Sequence, residues 1–149
     1  MLSVLDYAVA HLHVKQGWFT LVPAHRPTAL ISYSSPVIVV GHTECGGAKY
    51  CVEESRHAPP IAPPKTPLER WLGPLTTLAR DLRLGSLPPS EAVPILVEEN
   101  VKRQVQNLVE TETVKAAWGR GEDVCVRGLV YDLATGRLSD LGVAQRRPQ

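Results

Sequence analysis

A histidine and a cysteine three residues apart are the side chains of this sequence best suited to bind a metal ion. His42 and Cys45 follow the apolar run 37–40, and Gly46 and Gly47 come directly after the cysteine. Imidazole and thiolate together suit Zn²⁺, which accepts borderline-soft ligands in tetrahedral geometry. The two glycines permit a tight turn and expose backbone N–H groups that can hold an anion. We therefore interpret His42 and Cys45 as zinc ligands, with Gly46 and Gly47 beside the substrate.

The H-x-x-C spacing alone does not distinguish a ligand pair from two bystanders, so other donors matter. Cys51 and His57 are candidates for a third ligand, but the segment 51–56 has the composition of a solvated charged loop. Cys125 lies in an alternating apolar segment and is expected to pack as a small hydrophobe. Two of the other histidines, His11 and His13, are expected at the surface, and His25 is uninformative.

Composition narrows the class of protein. The chain has 149 residues, 44% of them hydrophobic and 21% charged, which is ordinary for one folded domain. Its net charge of +1 comes from mixed acidic and basic residues, so neither nucleic acid nor a membrane is an expected partner. Three cysteines without a framework spacing, and no recognisable signal peptide, predict reduced thiols and a cytoplasmic location, with a mitochondrial one left open.

The elements before the His–Cys pair are a helix, an irregular stretch and a strand. Ser3 and Asp6 form a capping pattern at the start of a helix whose apolar residues recur through Leu12. Residues 17–36 show no periodicity and are interpreted as an irregular insertion. The run 37–40, all valine and isoleucine, predicts a strand buried on both faces of a parallel sheet.

Two helices are predicted after the pair. Residues 58–67 are rich in proline and form a stiff connector. Apolar spacing predicts a helix over 68–82, in which Pro74 should cause a kink or a split. A second, long helix is predicted over 94–118 and is stopped by the glycines that follow.

The C-terminal part predicts strands. Alternation over 124–130, a hairpin turn over 132–137 and a short strand over 138–141 complete an α/β pattern. We treat residues 1–149 as a single α/β domain.

Several of these segments resemble the β-class carbonic anhydrases, in particular those of fungi. Residues 37–47, VIVVGHTECGG, look like the zinc-ligand strand of that family, and 3–15, SVLDYAVAHLHVK, like the preceding helix. Residues 97–118 resemble its long C-terminal helix, and 128–143, GLVYDLATGRLSDLGV, its closing strand and hairpin. The resemblance implies a β-carbonic-anhydrase-like fold, truncated at its N-terminus, with a central, mostly parallel sheet flanked by helices.

The resemblance also implies an activity, the reversible hydration of carbon dioxide to bicarbonate with Zn²⁺ as cofactor. In the family, one histidine and two cysteines hold the zinc; His42 matches the histidine and Cys45 the second cysteine. The first cysteine and a catalytic Asp–Arg pair belong to a C-x-D-x-R motif that precedes the first helix, and this sequence does not contain it. We therefore expect weak zinc binding and impaired catalysis, and identify no catalytic residue.

Two alternatives stay open at this point. The chain could be a non-catalytic subunit or assembly module that pairs with a complete family member. Hydrolysis of carbon disulfide is the other substrate assignment, since nothing in residues 42–47 distinguishes it from carbon dioxide hydration. The resemblance also implies that the folded chain forms a homo-oligomer, a dimer or larger.

Overall fold

The computed structural model describes residues 35–57 and 66–147, which form a three-stranded sheet and helices. The predicted first helix, the three histidines at positions 11, 13 and 25, and the insertion up to residue 34 lie outside the described residues, as do residues 58–65 of the connector. In chain order the elements are β1 (Ser35–His42), α1 (Gly46–Ser55), α2 (Pro67–Asp81), a 3₁₀ turn (Leu84–Ser86), α3 (Pro89–Val109), α4 (Glu112–Gly119), β2 (Val124–Asp132) and β3 (Arg137–Gln145).

The sheet has the strand order β1–β2–β3 and is mixed. Only residues 133–136 join β2 to β3, so these strands form the predicted antiparallel hairpin. Gly136 closes its turn at a φ of +69°, a conformation that glycine adopts without strain. Helices and a small mixed sheet confirm the predicted α/β class.

Strand β1 differs from its prediction in length and in burial. It begins at Ser35 and ends at His42, and its side chains alternate in exposure. Ile38 is 45% exposed and Val40 is 51% exposed, so the expectation of burial on both faces is wrong. A β-branched run indicates a strand, but what covers each face depends on distant parts of the chain.

The first two helices correct two details. Cys51 and the charged residues after it belong to α1, where Ala48, Cys51 and Val52 form a buried face, so the predicted loop over 51–56 is wrong. Helix α2 begins with a capping box between Thr66 and Glu69. It continues through Pro74 without a split, because Pro74 is exposed and the one carbonyl it leaves unpaired can bond to water.

The long helix predicted over 94–118 is two helices. α3 begins earlier, at Pro89, as expected for a proline at a first helical position. It ends at Val109, and Thr111 caps α4 by accepting a hydrogen bond from the Val114 N–H at 3.4 Å. The threonine hydroxyl also donates to the Leu108 carbonyl at 2.6 Å, so one side chain satisfies groups of both helix ends.

The described residues divide into two compact units, each with its own apolar cluster. One unit consists of 35–39, 104–128 and 142–147, with Val105, Val109 and Val126 buried at its centre. The other consists of 40–57, 66–103 and 129–141, and contains the His–Cys pair. Its buried cluster comprises Ala48, Cys51, Val52, Leu72, Leu78, Ala79, Leu84, Ala92, Val93, Leu96 and Val97.

Cys125 is 1% exposed within β2, which confirms that it packs as a small hydrophobe. Among the described helices, none is long and apolar enough to cross a membrane.

Candidate metal centre

The His–Cys pair lies in the turn between β1 and α1. His42 is the last residue of β1, and Cys45 is the N-cap residue of α1. Between them Glu44 has a φ of +57°, in the left-handed region that side chains other than glycine, asparagine and aspartate seldom adopt. Such a conformation costs on the order of 1–3 kcal/mol and persists where the surroundings enforce it.

The imidazole of His42 is exposed, and a hydrogen bond fixes its tautomer. Its Nδ1 lies 2.9 Å from the carbonyl oxygen of Thr43. A carbonyl oxygen only accepts, so Nδ1 carries the proton in this bond and the neutral ring keeps its lone pair on Nε2. This is the arrangement in which a histidine binds a metal through Nε2.

Cys45 is half-buried, and its thiol does not cap the helix that follows it. The residue has extended backbone angles, and its side chain makes no capping hydrogen bond to the first turn of α1. A Cβ added at Gly47 would lie 3.9 Å from Sγ of Cys45 and 3.5 Å from a methyl of Leu72, whereas one added at Gly46 would meet nothing within 4 Å. A side chain at Gly47 would therefore be in van der Waals contact with the thiol, and Gly46 faces open space.

Gly41, the residue before His42, allows the end of β1 to lie against α3. Gly41 lies so close to α3 that a Cβ there would come within 2.7 Å of a Val101 methyl and 2.9 Å of a Val97 methyl. Real Cβ atoms do not approach so closely, so only glycine lets the end of β1 lie against this helix.

The turn is also joined to the hairpin. The backbone N–H of Thr43 donates to the carbonyl of Tyr131 at 2.9 Å. Its hydroxyl oxygen accepts from the Leu133 N–H at 3.0 Å, and the hydroxyl points its proton toward Asp132 Oδ1 at 3.5 Å. These contacts hold the residue that lies next to His42.

A cavity of about 460 Å³ borders the turn on the side of Thr43 and Glu44. Apolar residues of α3 and Val130 form part of its wall, and Lys49, which is paired with Glu44, lies at its edge. Thr43 and Glu44 line this cavity, whereas His42 and Cys45 are not among its lining residues.

Comparison with known proteins identifies the family of this chain. The carbonic anhydrase family model matches residues 31–138. The chain belongs to the carbonic anhydrase family. A carbonic anhydrase of Saccharomyces cerevisiae is 33% identical over 105 residues, covering 68% of this chain and 47% of the yeast protein.

Two solved structures are similar in fold. A Coccomyxa β-carbonic anhydrase in complex with acetazolamide has a TM-score of 0.69 at 26% identity and matches 97% of this chain and 54% of its own. A tetrameric β-carbonic anhydrase of the filamentous ascomycete Sordaria macrospora has a TM-score of 0.66 at 26% identity, over 97% of this chain and 60% of its own. The predicted resemblance to fungal-type β-carbonic anhydrases is confirmed, and the chain spans about half the length of these relatives.

The zinc that this family uses would need more donors than the turn supplies. Across 35–57 and 66–147, no three His, Cys, Asp or Glu side chains are grouped to hold one ion. Cys51 is 0% exposed, its thiol donates to the Leu72 carbonyl at 3.8 Å, and burial raises its pKa, so it is poorly placed as a third ligand. The described residues thus offer His42 and Cys45 as two candidate ligands, without a third donor grouped with them.

Sequence reasoning singled out His42, Cys45, Gly46 and Gly47 but not the contacts behind them. The structure brings Thr43 together with the start of the hairpin turn, and the hydroxyl and the aspartate it faces are 89 residues apart. The sequence indicates only a local feature here, because residues 132–135, Asp-Leu-Ala-Thr, are typical of an Asx turn. Nothing in it indicates which distant residue the turn contacts.

Proposed function

We propose that the chain is a subunit of a β-carbonic anhydrase that catalyses the reversible hydration of carbon dioxide to bicarbonate, with His42 and Cys45 as two of the zinc ligands. The observation that carries the proposal is the hydrogen bond of the His42 ring, in which Nδ1 donates to the Thr43 carbonyl and the lone pair stays on Nε2. The same turn contains the Cys45 thiol, which makes no capping hydrogen bond to α1. Bound zinc would lower the pKa of its water to about 7, so that hydroxide forms near neutral pH.

Gly46 and Gly47 are proposed to lie beside the substrate. They open α1, and its first backbone N–H groups have no partner within the helix, so they are suited to an anion such as bicarbonate. No contact in the structure distinguishes carbon dioxide from carbon disulfide, and the family's name favours the former.

The 149-residue chain by itself is proposed to bind zinc weakly and to hydrate carbon dioxide slowly. Two protein ligands hold catalytic zinc less firmly than three, and the described residues place no third donor in a group with His42 and Cys45. We further propose a cytoplasmic location, on the basis of the reduced cysteines.

The test measures zinc content and hydration in the same preparation. We expect well under one equivalent of zinc after gel filtration, and stopped-flow rates far below those of the yeast relative. His42→Ala should weaken the remaining zinc affinity, while His57→Ala, which removes an exposed imidazole at the end of α1, should leave it unchanged. Equal zinc affinities in the two variants would exclude His42 as a ligand; a full equivalent with rapid turnover would refute the weak-site proposal.

A second candidate is a non-catalytic subunit that pairs with a complete relative. It is favoured by large apolar side chains exposed on all three strands, and by the tetrameric state named for the Sordaria relative. These side chains are Ile38, Val40, Tyr131 and Leu138. Light scattering of the chain alone and with a full-length relative tests it: a monomer in both samples would eliminate this role.

A further inference from the structure

We infer that the turn between β2 and β3 is an outer support of the metal centre, and that Thr43 is the positioning residue through which it acts on His42. This inference rests on the proposed role of His42 as a ligand. It concerns side chains of this chain alone, and it can be tested without metal.

The contact between the two turns consists of short backbone and side-chain hydrogen bonds. Thr43 donates its N–H to the Tyr131 carbonyl at 2.9 Å and accepts the Leu133 N–H on its hydroxyl at 3.0 Å. The two bonds bracket Asp132, one on each side of it. Thr43 is thereby held at both its backbone and its side chain, which restricts rotation of the peptide that follows it.

Asp132 in turn organises the hairpin. Its Oδ1 accepts the Ala134 N–H at 2.9 Å, and its Oδ2 accepts the hydroxyl of Thr135 at 2.8 Å. These bonds lower the pKa of the carboxyl group, with the Thr135 hydroxyl as the largest cause. The aspartate is therefore a charged acceptor that fixes the hairpin turn at the point where Thr43 is attached.

The carbonyl of Thr43 connects this support to the metal ligand. It is the group that accepts the Nδ1 proton of His42 at 2.9 Å. Any rotation of the Thr43 peptide would move that carbonyl and release the ring, so fixing the peptide fixes the tautomer and the direction of Nε2. Outer partners of this kind orient metal-binding histidines, and their loss weakens metal affinity about 10- to 100-fold.

The other polar contact of the turn is less suited to this role. Glu44 is paired with Lys49, but both side chains are more than half exposed, and exposed ion pairs contribute little to rigidity. Neither group contacts the imidazole of His42. The hairpin is thus the better candidate for positioning the ring.

The first experiment reads the His42 tautomer in metal-free protein. ¹⁵N chemical shifts of the neutral ring, recorded at about pH 8, separate Nδ1–H from Nε2–H. We expect Nδ1–H in the wild type and in Thr43→Ser, and a mixture in Thr43→Val, which lacks the hydroxyl. Thr77→Val is the matched control, because it removes an exposed threonine hydroxyl that bonds to the Gly73 carbonyl within α2, outside both turns. An unchanged tautomer in Thr43→Val would overturn the inference.

The second experiment measures zinc affinity by competition with a chromophoric chelator. Thr43→Val should weaken affinity about 10-fold, the lower end of the outer-partner range because the Thr43 N–H bond remains, and Thr43→Ser should restore it. If Thr43→Val does not fold, Thr43→Ala removes the same hydroxyl. If the wild type binds no zinc, the proposed function fails, and the tautomer comparison still decides the role of Thr43. Equal losses in Thr43→Val and Thr43→Ser would contradict the inference.

Discussion

The turn at residues 42–45 and the helical cluster beside it use the same kind of side chain in opposite ways. In the turn, Cys45 is half-buried and the His42 imidazole is exposed, and Thr43 holds the backbone by donating to Tyr131 and accepting from Leu133. In the cluster, Cys51 is fully buried in α1, and its thiol faces a backbone carbonyl of α2. The Cys45 thiol is accessible to a metal ion, whereas the Cys51 thiol packs in the core.

The difference shows how this fold separates stability from chemistry. The helical cluster consists of buried apolar side chains that pack against each other. Burial there raises the pKa of the Cys51 thiol, which keeps the thiol protonated. The thiol that we propose as a zinc ligand, that of Cys45, is half-buried and lies in a turn whose backbone is held by hydrogen bonds of Thr43. We expect substitutions in the cluster to change stability and substitutions in the turn to change binding.

The largest change in stability should follow truncation of the helical cluster. Leu96 is 0% exposed in α3, and Leu96→Ala should lower the free energy of unfolding by about 2–5 kcal/mol through lost burial and the cavity left behind. Denaturant unfolding of the metal-free protein measures this. Leu133→Ala, at a 53% exposed leucine of the hairpin turn, should change it by no more than about 0.5 kcal/mol. Similar losses of unfolding free energy in both variants would mean that the helical cluster stabilises the fold no more than an exposed side chain of the hairpin turn does.

The largest change in binding should follow loss of the Cys45 thiol. Cys45→Ser should weaken zinc affinity by about 100-fold or more, close to 2.7 kcal/mol, because a direct ligand matters at least as much as an outer partner. Cys51→Ala removes the buried thiol and should leave zinc affinity unchanged while reducing stability. Chelator competition on both variants gives the comparison. A larger effect from Cys51→Ala would mean that the buried thiol is the ligand.

Gly41 lies where the turn meets the helices, so a substitution there should affect both properties. Gly41→Ala places a Cβ 2.7 Å from Val101, and overpacking of this kind costs about 1–3 kcal/mol. Gly46→Ala is the matched control, since a Cβ there meets nothing within 4 Å. Thermal unfolding should show a lower midpoint for the first variant only, together with weaker zinc binding. Equal midpoints would show that α3 shifts easily away from β1.

Local patterns in the sequence predicted the parts of this structure that depend on local forces. The apolar spacing over 68–82 was sufficient for α2, because a helix face is set by residues three and four apart. The alternation over 124–130 and the turn residues after it were sufficient for the hairpin. The His42–Cys45 turn was found in the same way, since a strand, two donors and two glycines are contiguous.

Features that depend on distant residues were not predictable. The exposure of Val40 depends on which elements pack against β1, and the run of valines carries no information about them. The helix break after Val109 depends on whether Thr111 serves as a cap or as a helical residue, and both are compatible with its sequence neighbours. The hydrogen bonds that hold Thr43 come from Tyr131 and Leu133, about 90 residues further along the chain.

The smallest effect should come from the charge of Asp132, and it should depend on pH. Hydrogen bonds, first that of Thr135, lower the pKa of this carboxyl group below its unfolded value of about 3.9. Its contribution to stability is therefore present above about pH 4 and is lost as the pH falls through the lower, folded pKa. Asp132→Asn lacks the charge at every pH, so its stability deficit should be largest near neutrality and vanish in acid. Thr135→Val should show a weaker dependence of the same sign, because it removes only one of the bonds. Unfolding free energies measured from neutral pH to about pH 3 test this, and a deficit that is constant with pH would mean that the hairpin turn needs the shape of the side chain and not its charge.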